Sequence, residues 1–152
     1  MEQKTRVEAV EGTQNIRITR EFDLPVDLLF KAYEDPALFA EWMGTRVTKM
    51  ESRVHGSYAF ETSHNGQVVF RANGTIHEFV PNAKITRTFE MENTGFPVQL
   101  EFLEFESLGE EQSRLIIHIV YKSAEHRNNQ LKLPFAQGLN MAHNRLQHIL
   151  KS

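Results

Sequence analysis

The sequence contains no cysteine. Disulfides, thiolate metal sites, iron–sulfur clusters and a cysteine nucleophile are thereby excluded together. Long apolar runs are also missing. The strongest, Leu115-Ile116-Ile117-His118-Ile119-Val120-Tyr121, is far too short to span a bilayer, so no membrane span is expected. Basic residues are in slight deficit: 17 Lys plus Arg stand against 20 Asp plus Glu, for a formal charge of −3. A dedicated nucleic-acid binder usually carries a basic excess. Here Arg17, Lys49, Arg53 and Arg71 are dispersed, without interleaved aromatics for base stacking, and no nucleic-acid partner is expected. Glycine is sparse, 8 residues scattered as turn punctuation, with no phosphate loop and no Gly-x-Ser-x-Gly turn. The opening, Met1 to Gly12, lacks the apolar stretch of a secretory signal. A cytoplasmic location is expected.

The 152 residues suit one ordinary domain. Residues 1–14 read as a loosely ordered N-terminal segment, and 15–152 as a single domain. Phenylalanine supplies 11 of the 15 aromatic side chains. A large ring without a polar handle belongs in a core or in the lining of an apolar pocket.

Ile16, Ile18, Arg20 and Phe22 alternate with polar neighbours, the period of a half-buried strand. Leu24-Pro25 opens a helix with Val26, Leu29, Phe30 and Tyr33 on one stripe, and Asp35-Pro36 breaks it. A second short helix turns Leu38, Phe39 and Trp42 inward and ends at Gly44. About six strands follow up to residue 122. Tyr58 and Phe60 share one face, and Asn65-Gly66 makes a hairpin turn. Beyond it Phe70, Ala72, Gly74, Ile76 and Glu78 share a face, as do Ile85, Arg87, Phe89 and Met91. Val98, Leu100 and Phe102 alternate, after which the apolar phase slips to Leu103 and Phe105, which predicts a bulge or bend. Leu115, Ile117, Ile119 and Tyr121 end the set. Ser123 is a candidate N-cap. After Pro134, Phe135, Leu139, Ala142, Leu146 and Ile149 form the longest helical stripe.

Hairpin-linked strands imply an antiparallel sheet, and its apolar face must be covered. The expected fold class is α+β: a curved antiparallel sheet of about seven strands around a long C-terminal helix, with two short helices after the first strand. A helix laid across a curled sheet leaves room for a pocket between them.

The layout resembles the START-like, or SRPBCC, superfamily with the helix-grip fold of the birch-pollen allergen. The residues that carry the resemblance are Ile18 to Pro25, Leu29 to Pro36, Leu38 to Gly44, and Gly74 to Pro81 followed by Ile85 to Phe89. Within the superfamily the chain is similar to the branch related to the activator of the heat-shock-protein-90 ATPase. Three features depart from that branch. Arg53-Val54-His55-Gly56 keeps one glycine of a usual pair, Gly138-Leu139 stands where Gly-Trp often opens the last helix, and the co-chaperone's separate N-terminal domain is not expected here. The resemblance implies a cavity for a small apolar or amphipathic molecule between sheet and helix. A chaperone-like protein partner is the alternative, and a cavity-based enzyme without metal the third.

The 7 histidines show no metal-ligand spacing and read as solvated; no cofactor and no metal is implied. Arg20, Glu78 and Arg87 stand in phase with inward apolar residues, so each needs a partner or water. They serve either as polar anchors in an apolar site or as a structural ion pair, with Glu78 and Arg87 meeting across the Pro81-Asn82 turn. The cavity candidates are Tyr58, Phe60, Phe70, Ile76, Glu78, Arg87, Phe89, Phe102, Phe135 and Leu139. No catalytic residue is assigned. Either a monomer or a homodimer is compatible with the sequence.

Overall fold

The computed structural model describes residues 3–151. Its strands are β1 (Arg6–Ala9), β2 (Asn15–Phe22), β3 (Arg46–Met50), β4 (Ser57–His64), β5 (Gln67–Val80), β6 (Lys84–Met91), β7 (Gln99–Gly109) and β8 (Gln112–Val120). Its helices are α1 (Val26–Glu34), α2 (Pro36–Met43), α3 (Ala124–Leu131) and α4 (Phe135–Lys151). The strands form one sheet of eight in the order β1-β2-β8-β7-β6-β5-β4-β3, antiparallel throughout. This is the α+β arrangement read from the sequence, with one more strand. The extra strand is β1, which pairs with β2 inside the segment expected to be loosely ordered. It is a short edge strand with mostly exposed residues, so no hydropathy alternation announces it.

Local chemistry sets the element ends. The Asp35 carboxylate accepts from the backbone N–H groups of Ala37 and Leu38 and caps α2. Gly44 closes that helix in the left-handed conformation. The two-residue β4–β5 turn puts Asn65 at φ 53° and Gly66 at φ 79°, the signs that match strand twist. The Ser123 hydroxyl caps α3 by accepting from His126 N. Pro134 then separates α3 from α4.

The core lies between the concave face of the sheet and the helices. Ile16, Ile18, Phe22, Leu103, Phe105, Leu115 and Ile117 supply the sheet side. Phe30, Tyr33, Phe39, Trp42, Ala142 and Leu146 supply the helix side. In α4 the buried residues begin at Ala142, whereas Phe135 and Leu139 are half-buried. The C-terminal half of the helix therefore reaches the sheet, and the N-terminal half stands off it.

Two strands differ from the hydropathy reading. β7 runs without a phase slip through Leu103 and Phe105: Gln99, Glu101, Leu103 and Phe105 are all buried, and Val98 and Phe102 are exposed. The expected inward row of Val98, Leu100 and Phe102 belongs to the outer face, and two polar residues take the inner one. In β5 the pairing with β6 shifts between Ile76 and Glu78. That bulge turns Phe79 inward, where its ring packs edge-on to Phe30 at 5.3 Å, and turns Glu78 outward. Among the described residues, no helix is long and apolar enough to cross a membrane.

Candidate functional site

A cavity of about 350 Å³ lies under the N-terminal half of α4, within the size range of small-molecule sites. The sheet contributes Phe60 from β4, Phe70 from β5, Arg87 and Phe89 from β6, and Ile117 and Ile119 from β8. The helices contribute Phe39 and Trp42 from α2, Gln130 from α3, and Phe135 and Leu139 from α4. Pro134, Gly138 and Arg145, all exposed, mark the side that opens to solvent.

Six of the ten expected cavity residues come together in this wall: Phe60, Phe70, Arg87, Phe89, Phe135 and Leu139. The other four lie elsewhere. Tyr58 is buried behind the wall, its ring over the Arg87 guanidinium at 5.1 Å and its hydroxyl donating to Thr88 O at 2.6 Å. Ile76 is buried in the core. Glu78 sits on the outer face, paired with Lys84 at 3.0 Å and accepting from the Thr86 hydroxyl at 2.8 Å. The Thr86 and Lys84 contacts hold its carboxyl below the usual range. Phe102 is 38% exposed on the outer face.

Sequence reasoning passed over Glu101 and Gln99, which form the polar end of the cavity. Arg87 Nε donates to Glu101 Oε1 at 2.9 Å, and Gln99 Nε2 donates to Glu101 Oε2 at 2.8 Å. Both members of the ion pair are shielded, with side chains 13% and 9% exposed. Burial alone would weaken the Arg87 charge, but Tyr58, Glu101 and Tyr33 around it outweigh burial and raise its pKa. The Tyr33 and Tyr58 phenols are pushed above their usual value by burial. Among the described residues the terminal nitrogens of Arg87 make no hydrogen bond, and they belong to a side chain that lines the cavity. A signal existed for Glu101: it stands directly across the β6–β7 ladder from Arg87, where opposite charges pair.

Arg20, the third inward charge, serves packing instead. It is 2% exposed and its Nη1 donates to Asn144 Oδ1 at 2.9 Å and Asn140 Oδ1 at 3.2 Å, tying β2 to α4. His143 also corrects the sequence reading. It is fully buried, with Nδ1 2.6 Å from the Thr5 hydroxyl and Nε2 3.4 Å from the Tyr33 hydroxyl. Burial, aided by the Arg20 charge, brings its pKa down to about 3. The position was legible, because 143 falls four after Leu139 and three before Leu146 on the buried stripe. Among the described residues no group of three His, Asp or Glu is placed to hold a metal ion.

The comparisons with known proteins agree with this geometry at the level of family and fold. The family model described as activator of Hsp90 ATPase homolog 1-like protein matches residues 23–151. No curated protein matches the sequence significantly. Among solved structures, protein Ms6760 of Mycobacterium smegmatis superposes with a TM-score of 0.85 at 22% identity, over 97% of this chain and 96% of that one. A Rhodobacter sphaeroides protein gives 0.85 at 18% identity, over 97% and 99%. An Arthrobacter aurescens protein gives 0.85 at 18% identity, over 96% and 91%.

Proposed function

Because the chain belongs to the family of activator of Hsp90 ATPase homolog 1-like proteins, we infer that it uses the helix-grip cavity to bind a small hydrophobic or amphipathic molecule. The observation that carries this reading is the cavity itself: an apolar chamber of about 350 Å³ with one buried polar end. Aromatic and aliphatic walls remove a ligand's apolar surface from water, worth about 25 cal/mol per Å² before ordering costs. Few, fixed polar groups then orient it.

A protein-docking role would draw on an exposed apolar patch around Trp42. Trp42 is 2% exposed, its indole N–H donates to Ala32 O at 2.8 Å, and its ring faces the cavity. This favours an internal ligand over a partner at that helix. The test is native mass spectrometry of freshly purified protein, followed by calorimetry with fatty alcohols, polycyclic aromatics and sterols. A bound apolar mass, or saturable binding that Leu139→Trp weakens by narrowing the chamber, is expected. Protein without bound mass that ignores every member of the panel contradicts the reading.

A further inference from the structure

We propose that the cavity selects an uncharged ligand whose polar group both accepts and donates hydrogen bonds, such as a carboxamide or hydroxyl, and disfavours a carboxylate. The proposal rests on the cavity being a binding site, and deepens that reading.

Three observations carry it. First, the buried Arg87 charge is already neutralised by the buried Glu101 carboxylate, 2.9 Å away. A ligand carboxylate set against the guanidinium would place a second anion beside Glu101 and leave the buried end with a net negative charge, which a low-dielectric site resists. The remaining charged group in the wall, Arg145, is exposed at the rim, with its Nε committed to Trp42 O at 3.1 Å. Second, the Arg87 terminal nitrogens retain donors that want a neutral acceptor. Third, the Gln130 side chain lines the same cavity, is 6% exposed, and has an Oε1 atom fully buried without a hydrogen-bond partner. Native structures rarely leave such an atom unpaired. A ligand group that donates to Gln130 while accepting from Arg87 satisfies both residues. A carboxylate, which has no proton to give, leaves Gln130 orphaned and adds a charge.

Calorimetry at pH 7.5 with naphthalene, 2-naphthamide and 2-naphthoate tests this, since the last two share a shape and differ in charge and donors. The amide is expected to bind about tenfold or more tighter than the carboxylate. Glu101→Gln keeps the volume, removes the competing anion, and is expected to raise naphthoate affinity about tenfold. Gln130→Leu is expected to weaken the amide several-fold relative to naphthalene. Wild-type protein that binds naphthoate as tightly as the amide overturns the proposal, whatever the variants do. Unchanged amide binding in Gln130→Leu overturns its donor half. If none of the three probes binds, the cavity reading itself is overturned and this one falls with it.

Discussion

Arg87 and Glu101 face each other across the β6–β7 ladder and close an ion pair of 2.9 Å at the inner end of the cavity. The pair does two jobs. It cancels two charges that the concave face buries, and it leaves the guanidinium ends turned toward the chamber. Tyr33 and Tyr58, with rings 5.9 Å and 5.1 Å from the guanidinium carbon, fix its plane.

Arg87→Met is expected to cost about 3–5 kcal/mol, because it leaves the buried Glu101 carboxylate without its counter-charge, held by Gln99 alone. Adding Glu101→Leu removes the stranded charge and is expected to restore most of the loss. Urea unfolding of the two variants measures both. An Arg87→Met protein as stable as wild type would show that the pair is not buried as described.

The phase of β7 is testable by truncation on its two faces. Leu103→Ala, at a position with no exposure, is expected to cost about 2–5 kcal/mol. Phe102→Ala, on the outer face, is expected to cost less than about 1 kcal/mol despite removing the larger side chain. A loss for Phe102→Ala as large as that for Leu103→Ala in urea unfolding would restore the hydropathy reading, in which both side chains point inward.

These cases show which parts of the fold were legible. β2, β8 and α4 alternate or repeat with apolar residues on the buried face, so period and burial agree. In β7 they conflict: Val98, Leu100 and Phe102 are more apolar than Gln99 and Glu101, yet the inner face takes the polar pair because Arg87 demands it. In β5 a single bulge reverses the phase after Ile76, and no residue in that stretch signals an extra position. Of the phenylalanines read as inward, Phe60, Phe70, Phe89 and Phe135 meet in the cavity wall, and Phe102 does not. At the cavity's polar end Arg87 stands in phase with Ile85 and Phe89, but Gln99 and Glu101 were passed over, because their apolar neighbours Val98, Leu100 and Phe102 claim the inner face by hydropathy.

His143 gives the fold a pH dependence. The folded protein holds the imidazole neutral down to about pH 3, while the unfolded chain binds a proton near 6.5. As pH falls below that value the unfolded state gains a proton that the native state refuses, so stability drops. Between pH 7 and pH 5 the loss is expected to reach about 2 kcal/mol, at about 1.4 kcal/mol per pH unit below the unfolded pKa. In His143→Gln that slope is expected to vanish over this window. Equal slopes for variant and wild type in urea unfolding would remove His143 as its source.

Gly138 stands inside α4 with helical backbone and open space around the position of a methyl group. Gly138→Ala is expected to stabilise the protein by about 0.5–1 kcal/mol through helix propensity alone. A lowered melting temperature would mean that the N-terminal half of α4 relies on the flexibility that glycine gives.

The most direct measurement is an amide NMR titration of wild type and Leu139→Trp with 2-naphthamide. Saturable shifts are predicted at Phe60, Phe89, Phe135 and Leu139 in the wild type, on β4, β6 and α4 around the cavity, with weaker saturation in the variant. Shifts confined to the outer face of the sheet, or the same shifts saturating at the same ligand concentration in Leu139→Trp, would contradict a ligand held between sheet and helix.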